Sequence, residues 1–287
     1  MRGLALLAGL CLSVSAQTGL SSDPLTRVLA EKEKTGLHPA QIFTVKDCDP
    51  VLGLVLFQAK GALQELSIYA LKGPAASRVF DQSSQGRLEF DFSQGKGAPD
   101  LLHDGSRALL FNEWDKDGRR TLHLLRLEKG RLKEFGAYPE GEIRDLGDKA
   151  LTLLTRGRPF AKFSARACAA FAGLGAAARQ TEVLLWNGKR FKTAVGRFPE
   201  FFMESVVQDE QALQAAGDEK DAHPGEYLGA ALTLYYDRAA KGEKRAGWDS
   251  VAAMLKSLAK EQPGQAECLT KLRSELRSQL AIPAEWP

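Results

Sequence analysis

The chain lacks every short motif that fixes a reaction class. There is no GxSxG elbow, no P-loop and no GxGxxG, which removes the strongest signals for a hydrolase of that type, a nucleotide-binding protein or a dinucleotide-binding protein. The four histidines, His38, His103, His123 and His223, are far apart, and none belongs to a zinc spacing such as HExxH. Charge of one sign is also missing. With 39 Lys and Arg against 36 Asp and Glu the formal charge is +3, too small an excess to indicate nucleic acid or a membrane surface as partner. Beyond the first residues no apolar run approaches the roughly 20 residues that span a bilayer, so no transmembrane segment is expected in the mature chain.

What is present begins with an address. Met1-Arg2 forms a short basic end, Leu4 to Val14 an apolar run of about half the spanning length, and Val14-Ser15-Ala16 a small-residue cleavage site. Residues 1–16 therefore read as a signal peptide and the protein as periplasmic or secreted. Cys11 follows Leu10 rather than a small residue, which argues against a lipoprotein site. Export leaves three cysteines, Cys48, Cys168 and Cys268, in a compartment that permits disulfides, so at most one intramolecular bridge is expected. Cys48 with Cys168 is the expected pair, since both fall in the β-rich part; three reduced thiols are the alternative.

Periodicity divides the remainder. Residues 17–41 read as an N-terminal helical segment, with Asp23 capping, Pro24 in the first turn and Leu25, Val28 and Leu29 in one stripe. Residues 42–198 carry strand and turn signals and form a β-rich domain. Within it, residues 106–138 alternate apolar side chains on both faces of two successive strands, Ala108 and Leu110 against Leu109 and Phe111, Leu122 and Leu124 against Leu125 and Leu127. Such a sheet should be covered on both sides, as the inner layer of a stack. Residues 199–287 show helical spacing and read as a helical subdomain of three main helices with a weaker one leading in. The expected fold is mainly β with an α-helical C-terminal tail: a small or incomplete β-propeller-like meander, because about 155 residues hold at most three or four blades of roughly 40–45 residues, or alternatively a β-sandwich.

The candidate sites are few. Asp115 and Asp117, in the turn EWDKDG, space carboxylates as calcium loops do. The ninth and twelfth positions of such a loop are Thr121 and Leu124, however, so a hairpin turn using Asp117-Gly118 is the preferred reading over calcium. No other cofactor is indicated. Ser257 and Lys260 have SxxK spacing without the partner motifs, and read as a solvated helix face. Glu140 with Glu142, or Asp145 with Asp148, can do acid-base work only in a cleft that shifts their pKa. Arg156, Arg158, Arg166, Lys189 and Arg190 flank the small-residue excursion and the last hairpin, and are the candidate rim for an anionic partner.

In its order of parts the chain resembles exported bacterial proteins with FG-GAP or VCBS-like β repeats, through EWDKDGRRTLHLLRL, TEVLLWNGKRF, EYLGAALTLYYDRA and the final AEWP, over about residues 85–287. The segment DGSRALLF also resembles strands of TolB-like propellers. The resemblance implies a β scaffold with degenerate calcium loops and carries no activity. The expectation is a non-catalytic exported scaffold that binds another cell-envelope component, an unknown protein or envelope glycan; the alternative is an envelope or secreted hydrolase with a dispersed active site near residues 156–180.

Overall fold

Apolar alternation on both strand faces requires two partners for each sheet, and the arrangement supplies them. A computed structural model describes residues 23–61, 63–95, 97–147, 151–163 and 168–286; the expected signal peptide at residues 1–16 lies outside them. Helix α1 (Pro24–Lys34) starts on Asp23, whose side chain accepts the Leu25 N–H at 3.0 Å. Twelve strands follow in three four-stranded antiparallel meanders, each in chain order. The first holds β1 (Leu37–Val45), β2 (Val51–Ala59), β3 (Gln64–Lys72) and β4 (Ala75–Ser84). The second holds β5 (Arg87–Asp91), β6 (Arg107–Trp114), β7 (Arg120–Glu128) and β8 (Arg131–Pro139). The third holds β9 (Glu142–Ile143), β10 (Thr152–Gly157), β11 (Gln180–Trp186) and β12 (Phe191–Thr193). The β region thus begins at Leu37 rather than Ile42. Pro39 and the bulge beside it sit on an edge strand, where a missing N–H is tolerated but apolar alternation is blurred.

The sheets are stacked. Leu25, Val28 and Leu29 of α1 cover Val55, Phe57 and Tyr69 on the outer face of the first sheet. The inner face of that sheet, Leu52, Leu54, Leu66 and Ile68, meets Leu109, Phe111, Leu125 and Leu127 of the second. The opposite face of the second sheet, Ala108, Leu110, Leu122 and Leu124, meets Leu153 and Leu184 of the third. The second sheet is therefore the inner layer that its two-faced pattern predicts. A bulge in β8 turns Phe135 towards the third sheet, where its ring lies 5.2 Å from that of Trp186. The stack stays open, because the last face, Leu154, Val183 and Leu185, is covered by Phe198 and Phe202 rather than by the first sheet.

Phe202 belongs to the helical part. After a four-residue helical turn, α2 (Leu174–Ala177), four helices run α3 (Pro199–Asp218), α4 (Pro224–Lys241), α5 (Lys244–Glu261) and α6 (Ala266–Gln279). The expected weak lead-in is the 20-residue α3. The small-residue excursion before β11 packs on α4, and the reason for its composition is steric: a Cβ added at Gly229 would lie 2.4 Å from the Ala177 Cβ. Two small surfaces let the backbones approach, which periodicity along one segment cannot reveal.

The cysteine pairing differs from expectation. Cys168 is bonded to Cys268 in α6, with Cα atoms 5.2 Å apart, and Cys48 is free. Cys48 packs against the core between the first and second sheets, whereas Cys168 lies in the helical core, so the expected partners sit in separate cores. Across a separation of 100 residues, a bridge limits the unfolded chain by on the order of 4 kcal/mol on chain-entropy grounds.

Candidate functional site

Where the second sheet, the third sheet and α3 meet, several turns converge on a cleft of about 520 Å³. Its lining holds six arginines, Arg119, Arg120, Arg144, Arg156, Arg158 and Arg179, against four acids, Asp117, Glu140, Glu142 and Glu204. The cleft continues past Arg144, Phe201 and Glu204 into a shallower groove at the start of α3.

Each wall has a local cause. In the β6–β7 turn, Asp115 Oδ1 accepts the backbone N–H groups of Asp117 at 2.8 Å and Arg119 at 2.9 Å, and Gly118 takes φ +74°. The Arg119 N–H, helped by the Asp117 N–H and the charges of Arg119 and Arg158, holds the Asp115 carboxyl below the usual range, against desolvation that pushes it up. Asp117 pairs with Arg119 at 3.2 Å. The two candidate calcium residues thus shape a turn and present Arg119 to the cleft, and among the described residues no group of three or more His, Cys, Asp or Glu is placed to hold a metal ion.

At the next turn Glu140 adopts φ +49°, uncommon for a residue with a Cβ, while its N–H donates to the Arg120 carbonyl at 2.8 Å. Its Oε1 lies 4.0 Å from Arg158 Nη2 and 3.9 Å from Arg179 Nε. These spacings are longer than the 2.7–2.9 Å of a charge-assisted hydrogen bond. Arg179 is positioned from behind: its backbone N–H donates to Thr233 Oγ1 of α4 at 2.9 Å, and its Nη1 to the Ala176 carbonyl of the excursion at 2.6 Å. Burial first, then the charge of Arg158, with Arg119 and Arg156 further off, pushes this guanidinium below the ordinary arginine range; Glu140 offsets part of the effect.

Arg156 faces the helices. It pairs across the sheet with Thr181 as Leu154 pairs with Val183, so these four share one face of the third sheet, the face that α3 covers. Beneath it lie two carboxyl groups. Asp209 occupies the inward stripe of α3 that includes Phe202, Val206 and Leu213, and Asp237 of α4 is 3% exposed. Asp209 Oδ2 and Asp237 Oδ1 are shut off from solvent without a donor among the described residues. Burial, then the Asp209 charge and their mutual hydrogen bond, pushes Asp237 up to about 7, with Arg156 pulling the other way. Burial also raises Asp209, opposed by its hydrogen bond to Asp237 and by Arg156.

Of the expected basic rim, Arg156 and Arg158 line the cleft. Arg166 lies outside the described residues. Lys189 and Arg190 do not join them: they sit in the β11–β12 turn, where Asn187 Oδ1 accepts both backbone N–H groups. Arg156 pairs near the start of β11 instead, roughly 20 Å of strand away. Sequence neighbourhood grouped residues that a strand separates. Arg144 and Arg179 were not among the expected residues, nor was the carboxyl pair. Its one sequence signal is Asp209 standing in an otherwise apolar helical stripe.

No protein-family model, curated protein or solved structure matches this chain.

Proposed function

We propose that this is an exported, non-catalytic binding protein whose β stack and helical cap hold an anionic group of another envelope component, a protein or a glycan, in the arginine-lined cleft. One observation carries the proposal: two guanidiniums approach a single Glu140 oxygen at 3.9 and 4.0 Å without closing on it, in a lining that holds four further arginines. Guanidinium forks recognise carboxylate, phosphate and sulfate groups in bidentate fashion, and here their donors are under-used. Among the described lining residues there is no histidine or cysteine, and Ser205 Oγ is engaged with the Phe201 carbonyl at 3.4 Å, so a serine-histidine or cysteine-histidine pair is not assembled there. The Cys168–Cys268 bridge supports the export reading. Among the described residues no helix is long and apolar enough to cross a membrane.

Titration calorimetry of the full chain with inositol hexasulfate, against unsulfated inositol, tests the reading. Sulfated ligand alone should bind, and Arg158→Gln with Arg179→Gln should weaken it at least tenfold, about 1.4 kcal/mol or more. Equal binding by the double variant would remove the cleft from the function. Turnover of an envelope glycan by the purified protein would overturn the non-catalytic reading.

A further inference from the structure

The carboxyl pair beneath the cleft carries a consequence for binding, and it rests on the anion-binding reading. Arg156 lines the cleft together with Ser205 and Gln208 of α3, and the next residue of that helix, Asp209, turns inward to Asp237, where Asp209 Oδ2 and Asp237 Oδ1 are buried without a donor among the described residues. Other charged groups flank the pair from the elements packed on α4: Arg179 donates its backbone N–H to Thr233, and Arg197 lies in the turn that packs on this helix. On α3 and α4, Glu210 and Arg238 hold each other at 2.7 Å, and Lys241 holds Glu243 at 2.8 Å. On the third sheet, Glu182 pairs with Thr155 and so points to the face opposite Arg156. Arg156 is the cation that acts on both carboxyls.

We propose that anion binding in the cleft is coupled to uptake of a proton by the Asp209–Asp237 pair, with Arg156 as the shared cation. The sign follows from electrostatics. An anion that engages Arg156 diverts its positive charge and adds negative charge nearby, and both changes favour the protonated carboxyl. By linkage, protonating the pair frees Arg156 for the ligand, so binding tightens as pH falls through neutrality. Asp237 is 3% exposed and cannot exchange its partner for bulk water, which keeps the coupling inside the protein.

The test is calorimetry on the full chain with inositol hexasulfate, whose groups remain ionised throughout, in buffers of different ionisation enthalpy near neutral pH. The expected result is a buffer-dependent enthalpy corresponding to uptake of up to roughly one proton per ligand, with affinity higher at pH 6 than at pH 8 by about threefold or more. Asp237→Asn should abolish the buffer dependence and flatten the pH profile while binding persists; Asp209→Asn, at the less buried member, gives the same readout should the Asp237 substitution prevent folding. Binding with identical heats in every buffer would overturn the coupling and leave the cleft assignment standing. Proton uptake that survives both substitutions would overturn it as well. Failure of the sulfated probe to bind in any buffer would remove the cleft assignment, and the coupling with it.

Discussion

Two interfaces of the stack are built from the same kind of strand and end differently. Between the first and second sheets, Leu52, Leu54, Leu66 and Ile68 pack on Leu109, Phe111, Leu125 and Leu127 with almost no exposure. At that rim His123 Nδ1 lies 2.7 Å from Glu134 and its ring stacks on Phe111, while Nε2, 3.3 Å from Glu113, makes no hydrogen bond among the described residues. Between the third sheet and the helices, Leu154, Val183 and Leu185 start a similar dry layer against Phe202. It gives way within two residues to Arg156 and, beneath it, to Asp209 and Asp237, of which Oδ2 and Oδ1 have no donor among the described residues. A single buried histidine tied to one carboxylate leaves the first interface almost wholly apolar, whereas two carboxyls beside a cleft-lining arginine make the second one electrostatically responsive.

Truncation at the dry interface should have the largest effect. Phe111 is 1% exposed, stacks on His123 at 4.4 Å and lies 5.8 Å from Phe80. Phe111→Ala should cost about 3–5 kcal/mol in urea denaturation, through lost burial and the cavity left behind. A loss below about 1 kcal/mol would mean that this interface can repack, and the contrast with the cleft side would fail.

At the polar interface the corresponding test is pH. The folded pKa of Asp237 is raised to about 7, above the roughly 3.9 of an unfolded aspartate. Between those values the native state binds more protons than the unfolded chain, so stability falls as pH rises from about 4 to about 7, by on the order of 2–4 kcal/mol, and then levels. Asp237→Asn keeps a donor for Asp209 and removes this slope. Melting temperatures at pH 5 and pH 8 should therefore converge in the variant relative to the parent protein. An unchanged difference would place the pH dependence elsewhere and make the two interfaces electrostatically alike.

The same contrast explains what could be read in advance. The inner sheet was legible because Ala108 to Phe111 and Leu122 to Leu127 record in one strand each what lies on both sides. The β1 boundary was not, since an edge strand with Pro39 and a bulge is under little pressure to alternate. The bridge between Cys168 and Cys268 depends on where an excursion lands on α4, which composition hints at only once Gly229 is known to face it. The cleft draws Arg119, Arg144, Arg158 and Arg179 from separate turns, and the carboxyl pair draws Asp209 and Asp237 from two helices. No local period links such residues. Arg156 and Arg158 were found because they flank the excursion, and Lys189 and Arg190 were grouped with them for that same reason of proximity.

That grouping supplies the smallest expected effect. Lys189 and Arg190 are exposed at the hairpin end of β11, and their side chains make none of the contacts that shape the cleft. Lys189→Gln with Arg190→Gln should change stability by less than about 0.5 kcal/mol. Because their charges lie beyond a Debye length of roughly 8 Å from the cleft at physiological salt, inositol hexasulfate should bind with unchanged affinity. A tenfold loss would show that the ligand surface runs along the whole third sheet, joining the two ends of β11 that the geometry holds apart.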